Sequence, residues 1–173
     1  MGAPRLNIAV VGTSSAGRAL ASRLVDAGHT CTHDVPWSDL GDYSAVLLAL
    51  ESELLPDVIS RLEQTMTCKH IVLHSALGAG SDVLAELGSV AIAMHPLDSG
   101  AFVVSTSEDE LSRTIAELLV SEMGGYSIRV PDAERAVLPE AQRKIAEAAQ
   151  LQREALAMAE SEEVSSVIVA MMG

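Results

Sequence analysis

Apolar and polar positions along this chain fall into two alternating regimes. Short, nearly continuous apolar runs occupy Asn7–Val11, Ala45–Leu50, Lys69–His74, Val90–Met94, Phe102–Thr106 and Tyr126–Val130. Their length and β-branched content predict strands covered on both faces. Between them, apolar residues recur with helical spacing. The sets are Ala16, Leu20, Leu24 and Ala27; then Leu55, Val58, Ile59 and Leu62; then Leu111, Ile115, Leu118 and Leu119. Each set predicts a helix with one buried face. Gly28 and Gly124-Gly125 are the expected stops. Pro56 suits a first helical turn, and Ser81 suits an N-cap for a short helix with Val83, Leu84 and Leu87 inward. From Asp132 to about Glu163 the pattern is Ala/Glu-rich and helical, with Pro139 as the place for a bend. Glu140 and Lys144 form a favourable surface pair there.

Alternation of strand and helix predicts an α/β fold. The expected form is a Rossmann-like doubly wound, mostly parallel sheet over residues 1–131 with a C-terminal helical extension over 132–173. Its working edge is the crevice at the strand C-termini. Gly12, Asp34, Leu50–Glu51, His74–Ser75 and His95–Pro96 all fall on that edge by this reading. The stretch PWSDLGDY, after a second strand at Thr30–Val35, is too short for a crossover helix. The helix and strand that many dinucleotide folds insert there are therefore expected to be missing, with Trp37 capping the sheet edge.

The opening strand stops at Gly12, and Thr13, Ser14, Ser15, Ala16 and Gly17 lead into the first helix. A turn of this kind aims backbone N–H groups at whatever lies above the strand, a ready site for a pyrophosphate. Gly12 and Gly17 hold the first and third places of a G-x-G-x-x-G fingerprint, and Ser14 takes the second. Serine occupies room that glycine leaves open, but its hydroxyl can donate to a phosphate. The alternative is a compact strand–helix connection with no ligand. Asp34 stands near the place where an acidic residue grips the adenosine ribose; it and His33 are equally consistent with a solvent-facing loop. Leu50 ends the next strand beside the same turn. No arginine follows Asp34, so NAD and NADP are not separated.

His74 and His95 at neighbouring strand ends could reach one substrate, polarise a carbonyl or carry a proton, with Ser75 orienting the same oxygen. The other reading, which the lack of an acidic orienter favours, is that each imidazole bonds backbone and holds its loop. A two-histidine metal site lacks a third ligand at recognisable spacing. Lys144 reads as a solvated surface charge.

Composition narrows the picture. Hydrophobic residues make up 49% of the 173 residues but aromatics only 2%, so the core must come from Ala, Val, Leu and Ile. The net charge of −13 disfavours nucleic acid and anionic membranes as partners, and any phosphate must rest on backbone amides. Cys31 and Cys68 have no metal spacing and read as free buried thiols. With no export signal and no run long enough to span a bilayer, the expected compartment is the cytoplasm. The apolar tail, Val164–Met172, is expected to pack on a second subunit or back onto the long helix.

Three stretches together, VGTSSAGRALASRLVDAGH, VLHSALGAGSDVLAELGSVAIAMHPL and the Gly124-Gly125 strand, resemble the Rossmann-like domain of the phosphogluconate-dehydrogenase-like superfamily. They are most similar to its oxidoreductase branch related to ketopantoate reductases. The H-S-x-x-G and H-P-L motifs around His74 and His95 are the most specific part. The resemblance implies NAD or NADP as cofactor, a small-molecule substrate, dehydrogenase chemistry, and a homodimer through the C-terminal helix and tail. It also leaves open a domain that keeps the fold and dimer without the reaction. Three features depart from the family pattern: Ser14 for the middle glycine, a short segment after His95-Pro96-Leu97, and Leu138-Pro139 where relatives carry an aromatic-His pair followed by an Asn.

Overall fold

The computed structural model describes residues 5–65, 70–87 and 90–173; the expectations for Cys68 and Lys69 lie outside them. The chain divides into two compact units, Met1–Ala136 and Val137–Gly173.

Among its described residues the first unit carries seven strands: β1 (Asn7–Val11), β2 (Thr30–His33), β3 (Ala45–Leu48), β4 (Ile71–His74), β5 (Val90–Pro96), β6 (Ala101–Thr106) and β7 (Tyr126–Arg129). They lie side by side in the order β2-β1-β3-β4-β5-β6-β7. The β1 through β5 strands are mutually parallel, β6 runs antiparallel to β5, and β7 runs parallel to β6. Its helices are α1 (Ser15–Asp26), α2 (Leu55–Leu62) and α3 (Glu110–Glu122).

Successive strand residues point to opposite faces, and both faces are filled. On one side Ile8, Val10, Leu47, Leu73, Ile92 and Phe102 pack with Leu20 and Leu24 of α1 and Leu119 of α3. On the other, Val46, Leu48 and Val72 pack with Leu55, Ile59 and Leu62 of α2 and with Leu84. This two-sided burial is why the strands read as apolar runs rather than as an alternation.

The direction in which the chain progresses across the sheet reverses about β1. From β1 the chain goes through α1 to β2 on one side; from β2 it returns past β1 to β3 on the other. Only a 3₁₀ helix, Trp37–Asp42, spans that return. Among the described residues no further strand lies beyond β2, as the shortness of PWSDLGDY implies. A switch of this kind opens a crevice between the ends of the diverging strands.

Several boundaries differ from expectation. The strand expected over Thr30–Val35 ends at His33, because Asp34 turns left-handed at φ 57°. His95 and Pro96 belong to β5 rather than closing it, paired with Val103 and Phe102. The helix expected without interruption from Asp132 to Glu163 is a 3₁₀ turn (Asp132–Val137), then α4 (Leu138–Ala157) and α5 (Glu162–Met171). Pro139 sits at the start of α4 instead of bending it, and Ser161 caps α5 through Val164 N–H. The second unit is thus a pair of helices with no buried residue in either. No described helix is long and apolar enough to cross a membrane.

Candidate functional site

The parallel strands β1 to β5 deliver their C-termini to one edge, and register brings Val11 beside Leu48, and Leu48 beside His74. At the β1 end Gly12 turns at φ 94°. A Cβ there would stand 2.5 Å from Ala49 O and 2.5 Å from a methyl of Leu50. At Gly17 a Cβ would lie 2.2 Å from Ala49 Cβ. Both glycines therefore let α1 start directly against the end of β3.

Ser14 is the N-cap of α1. Its backbone N–H donates to Ala49 O at 2.8 Å, and its Oγ accepts from Gly17 N–H at 3.1 Å. The same Oγ meets Ser75 Oγ at 3.4 Å. Among the first-turn donors that a helix start leaves unsatisfied, those of Ser15 and Ala16 have no protein acceptor among the described residues. The serine thus fills one amide of the cradle with its own oxygen and leaves two free.

In front of this turn lies a cavity of about 640 Å³. Its lining includes Gly12, Thr13, His33, Asp34, Val35 and Trp37. Asp34 is exposed there, and aspartate is one of the few side chains that tolerate a left-handed backbone. The structure therefore brings Gly12, Thr13 and Asp34 to a single space. Leu50 lies beside it, 9% exposed and against Gly12. Ser15 and Ala16 contribute backbone at the helix start, while the Ser14 side chain turns inward toward Ser75.

The β4–β5 end of the same edge is closed. His74 and Ser75 are 0% exposed and His95 is 7% exposed. His74 Nε2–H donates to Gly80 O at 2.7 Å, and His95 Nδ1–H donates to Ser75 O at 2.8 Å. Since the acceptors are carbonyls, each ring nitrogen named must carry the proton. The other nitrogen of each ring is then a bare acceptor: Nδ1 of His74, buried without a partner, and Nε2 of His95. Burial pushes His74 down to about 4, outweighing its bond to Gly80. Burial likewise holds His95 below its ordinary value, with Arg135 adding to the effect and the Ser75 bond and Glu51 opposing it. Both imidazoles are neutral near pH 7.

Residues not singled out by sequence build this end. Arg135 is 0% exposed, and its guanidinium donates to Ala76 O, Leu77 O, Val103 O and Ser105 Oγ at 3.1–3.4 Å. Burial draws its pKa down to about 10, with Asp132 acting the other way. Asp132 caps the Ser81–Leu87 turn through Ser81 N–H, Ser81 Oγ–H and Asp82 N–H. Arg23 of α1 donates to Leu97 O at 2.9 Å and lies over the Phe102 ring. It ties the turn after the H-P-L motif back to α1.

Neither a family model nor a curated protein matches this chain. Solved structures do match its fold. A Bacteroides fragilis protein described as an NADP oxidoreductase superposes with TM-score 0.73 at 10% identity, over 97% of this chain and 78% of its own. A semialdehyde dehydrogenase NAD-binding protein from Cupriavidus necator, in complex with calcium and NAD, gives 0.66 at 14%, over 98% and 81%. Pyrroline carboxylate reductase from Plasmodium falciparum with NADP bound gives 0.65 at 11%, over 96% and 76%. At these identities the likeness is one of fold. The class it defines is the Rossmann-like α/β architecture with helices after the sheet, and the described chain has that architecture.

Proposed function

We propose that this protein is an oxidoreductase of the dehydrogenase type that uses NAD or NADP on a small-molecule substrate. The observation that carries this reading is the cavity shared by Gly12, Thr13 and Asp34. It joins the turn that suits a pyrophosphate to the carboxylate that suits a ribose hydroxyl. The residues present fit such a group: Gly12, at a positive φ that glycine adopts freely, leaves backbone in place of a side chain, and the Ser15 and Ala16 amides remain available. Fold neighbours that hold NAD or NADP support the reading, as does the resemblance to the ketopantoate-reductase-like branch.

When bound, a nicotinamide supplies hydride transfer. The chain's own contribution is assigned to His95. Its Nδ1–H is fixed by Ser75 O, so Nε2 stands as a neutral acceptor. Carrying no proton itself, that nitrogen can take one from a substrate hydroxyl but has none to donate to a carbonyl. His74 and Ser75, paired within the protein, position the loop that orients His95. We also propose that a second copy covers the apolar side chains exposed on α4 and α5, among them Ile145, Leu151, Val164 and Met171. The same reading places the protein in the cytoplasm, where Cys31 stays a thiol.

Calorimetric titration with NADH and NADPH tests the cofactor. Binding of at least one is expected, and Asp34→Ala should weaken NADH roughly tenfold, the worth of a hydrogen bond to a charged group. No heat with either at high protein concentration would reject the enzyme in favour of a dimeric Rossmann domain without a reaction. Sedimentation of a chain ending at Glu163 is expected to show the monomer mass if α5 holds the dimer; an unaltered dimer mass counts against the helix.

A further inference from the structure

The space beside Asp34 has one feature the Gly12–Gly17 turn does not explain. In an aromatic-poor chain with a single tryptophan, that tryptophan lies on the cavity wall. Trp37 opens the 3₁₀ helix that replaces a crossover helix and strand. It is half-buried, packed against the α2-side core. Arg61 of α2 holds its guanidinium carbon 4.1 Å from the indole centroid, a cation–π contact that fixes the ring. Anchored by the core and by Arg61, Trp37 is half-buried and lines the space shared with Val35 and Asp34.

We propose that Trp37, held by Arg61, is the platform on which a purine base of the nucleotide stacks. This deepens the cofactor reading and rests on it. The chemistry follows from the wall. A carboxylate at Asp34 accepts from a ribose hydroxyl, Val35 offers an apolar edge, and a rigid aromatic plane favours a flat heterocycle over a flexible or aliphatic ligand. The short β2–β3 connection removes the segment on which an adenine would otherwise lie, and Trp37 supplies that surface from within the connection itself. Arg61 acts through the indole as a positioning residue.

The tryptophan reports on its own occupancy. AMP, ADP-ribose and NADH should each change Trp37 emission on titration, while nicotinamide mononucleotide, which lacks the purine, should not. Calorimetry with Trp37→Leu should show NADH binding weakened roughly tenfold, the usual worth of a base–aromatic stack. Trp37→Phe should recover part of that loss, and nicotinamide mononucleotide should bind both variants as it binds wild type. Arg61→Ala should shift the emission maximum and weaken AMP by less than Trp37→Leu does. Thermal melts of the variants establish that each is folded. Should NADH bind while Trp37→Leu matches wild type, the platform is overturned and the cofactor reading stands. Should AMP bind through Trp37 while NADH does not, the platform stands and the dehydrogenase falls. Absence of binding by every purine nucleotide overturns both.

Discussion

The two halves of one sheet edge have opposite characters. At the ends of β1 and β2 the polar groups face outward: free amides at Ser15 and Ala16, an exposed Asp34, and a cavity against Trp37. At the ends of β4 and β5 the polar groups are mostly paired within the protein: His74 donates to Gly80 O, His95 to Ser75 O, and Arg135 to Ala76 O and Leu77 O, which leaves His74 Nδ1 and His95 Nε2 as the bare acceptors. The difference teaches where stability and binding are separately held. Buried polar groups are costly unless paired, so the paired end is the rigid one. Exposed amides and carboxylates cost little and are available to a ligand.

The comparison breaks most readily at Arg135. Arg135→Met leaves several carbonyls without donors and should cost about 3–5 kcal/mol in denaturant unfolding. Arg135→Lys should recover little, because an ammonium cannot reproduce the planar fork. Nucleotide binding measured on whatever stays folded should be far less affected than stability.

Acid gives the next largest effect. The folded pKa of His74 is about 4 against an ordinary 6.5, so below pH 6.5 the unfolded chain binds the proton first. Stability is then fully present above pH 6.5 and falls toward pH 4, by roughly 3 kcal/mol for this group. His95, shifted the same way, steepens the fall in that window. His74→Gln, whose amide can still donate to Gly80 O, should flatten the slope in urea midpoints measured across that range. A slope that survives unchanged would show that the buried imidazole is not its source.

The smallest effect is the sharpest test of the open half. Ser14→Gly restores the fingerprint glycine, and replacing a serine cap by glycine costs only about a few tenths of a kcal/mol. It also frees Gly17 N–H from Ser14 Oγ. Tighter binding of NADH at nearly constant melting temperature is expected. Weaker binding would mean that the Ser14 hydroxyl itself serves the phosphate.

What sequence disclosed and what it hid follow from the kind of signal each residue leaves. Apolar runs marked β1, β3, β4 and β5, and Gly12 with Gly17 marked the turn, because burial, the left-handed backbone at Gly12 and the close approach of Ala49 at Gly17 restrict residue choice strongly. The reversal of β6 has its sign in the length of the loop before it. Only Leu97–Gly100 separates β5 from β6, far too little for a parallel crossover. The break between α4 and α5 had its sign in Ser161, a cap followed by acidic residues. Arg135 left no sign at all. In an Ala/Glu-rich stretch it has the pattern of a surface charge, and only tertiary packing reveals four acceptors converging on it. The inward turn of Ser14 was hidden for the same reason, since it depends on Ala49 and Ser75 arriving from other strands.

Both outermost strands, β2 and β7, are short and carry side chains that are mostly wetted: Thr30, Cys31, Thr32 and His33 on one, Tyr126, Ser127, Ile128 and Arg129 on the other. Such margins are poor templates for a neighbouring chain to extend the ladder, since few unpaired backbone groups are presented in a row. Self-association of this molecule is thereby steered away from continuous sheets, and lateral growth into fibrils is disfavoured by the dimensions of its rims.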